Sequence, residues 1–176
     1  MKYWLYHKVP ENMFGETIYP LNTLKKIRPG IFQQAVQKYA GREHLLIRQI
    51  PYLDCLWNDV VFMAAVNPII VNEKFASVGY AQMHFSYFKI DYTTLDKSAL
   101  LVYTATSYKR GVLENYTEFD SEKMSEYSLF PDYAYEYYLQ MWQMGTPRNK
   151  IMPYSLIPHI LYKGTIDITG TEIVTI

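Results

Sequence analysis

The longest apolar stretch of the chain, Val60 to Val71, is broken by Asn67-Pro68, which leaves Val60-Val61-Phe62-Met63-Ala64-Ala65-Val66 as a nearly continuous apolar run. A run of this length between turn signals predicts an interior strand covered on both faces. Strand alternation would set Val61, Met63 and Ala65 on one face and Val60, Phe62 and Ala64 on the other. Shorter runs rich in aromatic and β-branched residues predict further strands at Leu5 to Val9, Met83 to Ile90, Leu100 to Ala105, Leu156 to Tyr162, Thr165 to Ile168 and Glu172 to Ile176.

Other segments follow helical spacing. Leu21, Leu24 and Ile27 mark a short helical turn before Pro29, and Ile31, Phe32, Ala35, Val36 and Tyr39 continue as a helix from Pro29 to Gly41. Arg42 to Ile47 reads as a further short helix. Asn67 is an N-cap, with Pro68 at the first helical position and Ile69, Ile70, Phe75 and Val78 forming an amphipathic helix closed at Gly79. A strong helix runs from Pro131 through Met144 and stops at Gly145; its spacing predicts buried Tyr137, Met141 and Trp142 and wet Glu136 and Gln140. From Thr106 to Phe130 the chain turns polar and reads as a lid or insertion. There is no internal repeat and no linker composition. The pattern gives one α+β domain over residues 1–176, with a mixed or mainly antiparallel central sheet and flanking helices.

Composition narrows the function classes. The 176 residues carry 17 basic and 17 acidic side chains, so no global field steers the chain toward nucleic acid or an anionic membrane. No apolar stretch reaches the ~20 residues of a membrane helix. The amino terminus lacks a secretory signal, and the single cysteine, Cys55, fits a reducing compartment; cytoplasm is the expected location. The 18 tyrosines suit either core and rim packing or stacking platforms for a ring.

Candidate chemistry is sparse. The sequence holds no phosphate-cradling glycine loop, zinc-protease helix or nucleophile elbow. His7, His44, His84 and His159 never fall at metal-ligand spacing, so no metal site is expected. Cys55, in an apolar context, reads as a buried thiol. His7 and His159 each sit inside an apolar, strand-like run, where an imidazole either bonds within the core or holds a polar ligand against the sheet. Asn58-Asp59, just ahead of the central strand, either closes a turn or orients a ligand. Arg42-Glu43-His44, with Arg48 nearby, is either a solvated helix start or an anion site.

Three segments carry a resemblance: Trp4-Leu5-Tyr6-His7, the strand from Asp59 to Pro68, and Ile157-Pro158-His159-Ile160-Leu161-Tyr162-Lys163-Gly164. Together they resemble a divergent ADP-ribosyltransferase fold, similar in outline to bacterial enzymes that modify DNA bases. The resemblance implies that His7 holds a ribose on the first strand and that the middle strand builds an NAD cleft. It also implies a late-strand catalytic glutamate, but the matching place ahead of Pro158 holds Tyr154-Ser155-Leu156-Ile157. The Leu-Tyr-His opening and the Trp-Asn-Asp segment are similar, too, to small bacterial proteins that lend no chemistry. Three functions therefore compete. One is an NAD- or ADP-ribose-binding enzyme or pseudo-enzyme with its ligand at His7, Asn58, Asp59 and His159, and with Tyr19 or Tyr80 stacking on a ring. The others are a non-catalytic binding module with a tyrosine-rich surface, and a protein that forms homodimers through the helix Pro131 to Met144.

Overall fold

A computed structural model describes residues 2–105 and 114–176 of the chain. The elements in order are β1 (Leu5–Lys8), β2 (Thr17–Ile18), α1 (Leu21–Ile27), α2 (Pro29–Val36), β3 (Gln49–Ile50), β4 (Cys55–Leu56), β5 (Val61–Ala64) and α3 (Pro68–Ser77). They continue as β6 (Ser86–Ile90), β7 (Leu100–Ala105), β8 (Glu114–Glu118), α4 (Met124–Tyr127), α5 (Asp132–Gln143), β9 (His159–Tyr162), β10 (Ile166–Asp167) and β11 (Glu172–Thr175). Seven strands form one sheet in the order β11-β6-β1-β5-β9-β7-β8, every pair antiparallel. The two-stranded pairs β2–β10 and β3–β4 stand apart from it. The fold is α+β with a large antiparallel sheet, as the pattern predicts.

The apolar run Val60 to Val66 lies at the middle of this sheet because neither of its faces tolerates water. Val61, Met63 and Ala65 join a core on one face with Leu5, Phe88 and Ile160. Val60 and Ala64 join the core on the other face, with Leu101, Leu161, Phe75 and Tyr138, and the half-buried Phe62 packs against it. The division matches the alternation in the sequence. Register carries it across three strands, since Met63 stands opposite Ile160 and Ile160 opposite Val102, all on the first face.

The helices form where capping chemistry starts them. The Asn67 side chain accepts from the Ile69 amide at 2.9 Å, and Pro68 follows at the first helical position of α3. Val71 and Phe75 of that helix are fully buried, whereas Ile69 and Ile70 are exposed, so its apolar face is narrower than the sequence suggests. On α5, Tyr137 and Met141 are buried and Glu136 is exposed, as expected. Trp142 is a correction: it is 46% exposed. Its ring lies edge-on to Tyr80 at 5.0 Å and occupies the space above Gly79, where a Cβ would come within 2.5 Å of it. Gly79, at φ +111°, both ends α3 and admits the indole.

The polar segment from Thr106 to Phe130 is not a lid where it is described. Its part Glu114–Glu118 is β8, an edge strand whose exposed polar side chains mask its apolar partner β7. Residues 119–130 follow as a 3₁₀ turn at Ser121–Lys123 and α4, whose Met124 is buried in the core, and residues 106–113 lie outside the described residues. No helix among the described residues is long and apolar enough to cross a membrane.

Burial sets the expected stability effects. Leu161→Ala, at a 0% exposed position in β9, should cost about 2–5 kcal/mol. Ile173→Ala, on edge strand β11 and 53% exposed, should stay within about 0.5 kcal/mol of wild type. Urea unfolding of both variants checks the contrast.

Candidate functional site

β1 pairs with β6 over four residue pairs, from Leu5 opposite Ile90 to Lys8 opposite Tyr87, but meets β5 only where Tyr6 faces Ala64. Past that point the two strands part, and the His7 ring takes over the contact: its Nδ1 lies 2.8 Å from the Phe62 carbonyl. A carbonyl only accepts, so Nδ1 carries the proton and donates. In the neutral ring Nε2 then keeps its lone pair, and no group among the described residues hydrogen-bonds to it. Burial lowers the His7 pKa, the bond to Phe62 partly opposes this, and the positive Lys38 adds to the lowering. The imidazole is therefore neutral at neutral pH.

The parting of β1 and β5 opens a cavity of about 580 Å³, closed over by the 10–15 loop, β2, α1 and α2. Its walls are mainly apolar, with Ile18, Leu21, Leu24, Ile31 and Val61 among them. Two contacts fasten the cover at the exposed rim. The Asn12 amide donates to the Gln34 side chain at 2.7 Å, and the Arg28 guanidinium lies 3.8 Å from the Phe14 ring centre. Lys38 also lines the cavity. Loss of hydration lowers the pKa of its ammonium, and the nearby Arg42 lowers it further.

Asn58 lies in the same cavity, in the 3₁₀ turn Trp57–Asp59 that leads into β5. It is 2% exposed, and neither Oδ1 nor Nδ2 has a hydrogen-bond partner among the described residues. Leaving a buried polar group unsatisfied costs about 1–3 kcal/mol. The other buried asparagine, Asn72, shows the usual solution: its Oδ1 accepts from the Met83 amide at 2.7 Å and its Nδ2 donates to the Met83 carbonyl.

The sequence-derived site residues thus divide. His7 and Asn58 share the cavity, and Tyr19 lines it as well. Asp59 is committed to the turn: Oδ1 accepts from the Asn22 side chain and Oδ2 from the Leu56 amide, both at 2.8 Å. It borders a separate, smaller hollow of about 340 Å³ beside Lys163. His159 is not brought to His7. It stands opposite Ala64 and Tyr103 on β5 and β7, on the opposite face of the sheet, with Phe62 and Tyr103 as ring neighbours. Its Nδ1 is buried with no partner at hydrogen-bond geometry, and desolvation lowers its pKa to about 4, opposed only in part by the nearby Ile157 backbone. Tyr80 is buried against Phe75, their rings stacked at 4.6 Å, within the core of that same opposite face. Cys55 is buried and its thiol is pushed up by desolvation.

Arg48 is not free to hold an anion. It is paired with Glu114 of β8, whose Oε1 also accepts from the Tyr103 hydroxyl at 2.9 Å, and its guanidinium lies over Trp57 at 4.7 Å. Glu43 accepts from the Gly41 amide at 2.8 Å, in keeping with a helix start. No group of three His, Cys, Asp or Glu residues placed to hold a metal ion occurs among the described residues. Sequence reading missed Lys38 and Gln34, which carry no motif and reach the cavity only because α2 and the 3₁₀ turn Gln37–Tyr39 after it border that space. No family model, curated protein or solved structure matches the chain.

His159 makes stability depend on pH. Its pKa falls from an ordinary 6.5 to about 4 on folding, so below pH 6.5 the unfolded chain binds the proton first. Stability should fall as pH drops from 6.5 towards 4 and lose no more from this group below that. Urea unfolding at several pH values in that window should show a shallower decline for His159→Phe than for wild type.

Proposed function

We propose that this protein binds a small ligand in the cavity between β1 and β5, and that the ligand is a nucleotide of the NAD or ADP-ribose class held without turnover. The observation that carries the reading is a neutral His7, with an Nε2 free to accept, in one largely apolar cavity of about 580 Å³ whose wall also holds Tyr19 and Lys38. That composition, apolar walls with few convergent polar groups, is typical of small-molecule sites. His7 fits the role of accepting a hydrogen bond from a ribose hydroxyl, Tyr19 can meet a ring, and Lys38 can meet a phosphate. An ADP-ribosyltransferase-like ancestry would place a ribose at this first-strand histidine.

Binding is favoured over catalysis because, among the described residues, no late-strand carboxylate reaches the cavity; the one carboxylate that lines it, Glu11, sits exposed on the covering loop. β9 reads His159-Ile160-Leu161-Tyr162 without a glutamate, and Glu172 of the last strand is paired with Lys89 at 2.7 Å on the β6 edge. The tyrosine-rich surface gains little support as an alternative, because Tyr52 is the one exposed tyrosine among the described residues. Dimerisation through α5 is likewise weakened, since Ala134, Tyr137, Tyr138 and Met141 of that helix already pack on the sheet.

Calorimetric titration with NAD and ADP-ribose tests the reading. Wild type should bind at millimolar ligand or tighter, a free energy of about 4 kcal/mol or more. His7→Ala should weaken binding by about tenfold, as for loss of one buried hydrogen bond. No nicotinamide should be released on long incubation. Absence of binding to either ligand at millimolar concentration would remove the nucleotide assignment.

A further inference from the structure

We infer that the cover of the cavity docks on an anionic lipid bilayer, with Lys25-Lys26-Ile27-Arg28 at the end of α1 as the centre of the contact. The zero net charge of the chain conceals an uneven distribution. From Thr17 to Arg42 there are five basic residues, Lys25, Lys26, Arg28, Lys38 and Arg42, and no acidic one; the rest of the chain carries the compensating acidic excess. A helix C-terminus favours cations, which accounts for Lys25 and Lys26 but not for the absence of acids from all of β2, α1 and α2. Lys25, Lys26 and Arg28 are exposed, and none of them is ion-paired among the described residues. The surface is separate from the ligand site: Leu21 and Leu24 of α1 line the cavity, and Lys25, Lys26, Ile27 and Arg28 do not.

Apolar side chains stand among these cations. Ile27 is 42% exposed between Lys26 and Arg28. The Arg28 guanidinium lies 3.8 Å from the ring centre of Phe14, itself 45% exposed, and the Lys25 ammonium lies 5.8 Å from that of Phe32. α2 buries no residue, and its Phe32 and Val36 are half-buried, line no part of the cavity and belong to neither core. A phosphate polymer such as nucleic acid would meet the cations and leave Ile27 and Phe32 in water. A bilayer interface meets both, because headgroup phosphates attract the cations while the acyl boundary takes up the apolar tips. The patch ends at acids on both sides in the chain, Glu11 and Glu16 before it and Glu43 after it. It lies on a membrane surface and does not enter the hydrocarbon as a span.

Co-sedimentation of the full chain with vesicles tests this, comparing phosphatidylcholine alone with phosphatidylcholine and phosphatidylglycerol in equal parts. Wild type should partition onto the mixed vesicles about tenfold or more in excess of the neutral ones. Added salt should weaken this, because the screening length falls from about 10 Å at 0.1 M to about 3 Å at 1 M. Lys25→Gln/Lys26→Gln should lose roughly twentyfold, at about fivefold per cation. Ile27→Ser, which keeps every charge, should lose about fivefold. The same charge loss at exposed Lys74 and Lys123, outside the cover, should leave partitioning at the wild-type level. Every substituted residue is exposed, so melting temperatures should match wild type. Absence of partitioning onto the mixed vesicles, equal partitioning onto both kinds, or a loss that the Lys74 and Lys123 variant reproduces would overturn the inference. So would an Ile27→Ser protein that partitions like wild type, since charge alone would then explain the contact. A duplex DNA oligomer bound through Lys25 and Lys26, with no binding to the mixed vesicles, would assign the patch to nucleic acid and overturn it as well. None of these readouts depends on a ligand in the cavity, so the nucleotide reading and this one stand or fall separately.

Discussion

The fold depends on one constraint: the middle strands β5 and β9 are buried on both faces of an antiparallel sheet. Met63 and Ile160 face one core, while Phe62 and Leu161 face the other. A one-residue slip would exchange the two sets and drive His159, now beside Ala64 and Tyr103, into the opposite core. The register is therefore specified from both sides. Both faces then need cover: α3 and α5 supply it on one, and β2, β10 and the segments around Leu95 and Met124 supply it on the other.

The cavity is a consequence of that arrangement. β1 is fully paired with β6 but only touches β5, so the end of the sheet at His7 opens while its centre stays closed. The covering pieces α1 and α2 bury few residues, Leu21 being the one buried position in the two helices. They roof the space without filling it. A tightly packed core would have placed larger side chains there, so the polar atoms of His7 and Asn58 are retained against the local trend of the fold.

The two histidines illustrate how environment sets chemistry. Both are neutral because burial opposes the charged form. His7 has one nitrogen fixed by a backbone carbonyl and the other free towards a cavity, which makes it a directed acceptor. His159 is enclosed by aromatic rings, with Nδ1 unpartnered, and is a packing residue with a titration penalty. Their sequence surroundings look alike; what differs is the face of the sheet on which each ring lies.

By itself the sequence determined the α+β class, the central strand and its two faces, the Asn67-Pro68 start of α3, and the burial of Tyr137 and Met141 on α5. These features follow from local periodicity and capping, which act over a few residues and survive in any tertiary setting. It did not reveal the edge strand β8, because a strand exposed on its outer side carries no apolar pattern, and it misplaced Trp142, whose packing over Gly79 depends on where α3 ends. Only the tertiary structure decided that His7 and Asn58, 51 positions apart in the chain, meet one cavity while His159 lies across the sheet. That outcome depends on strand order and pairing register, which are long-range choices made by the packing of two cores at once.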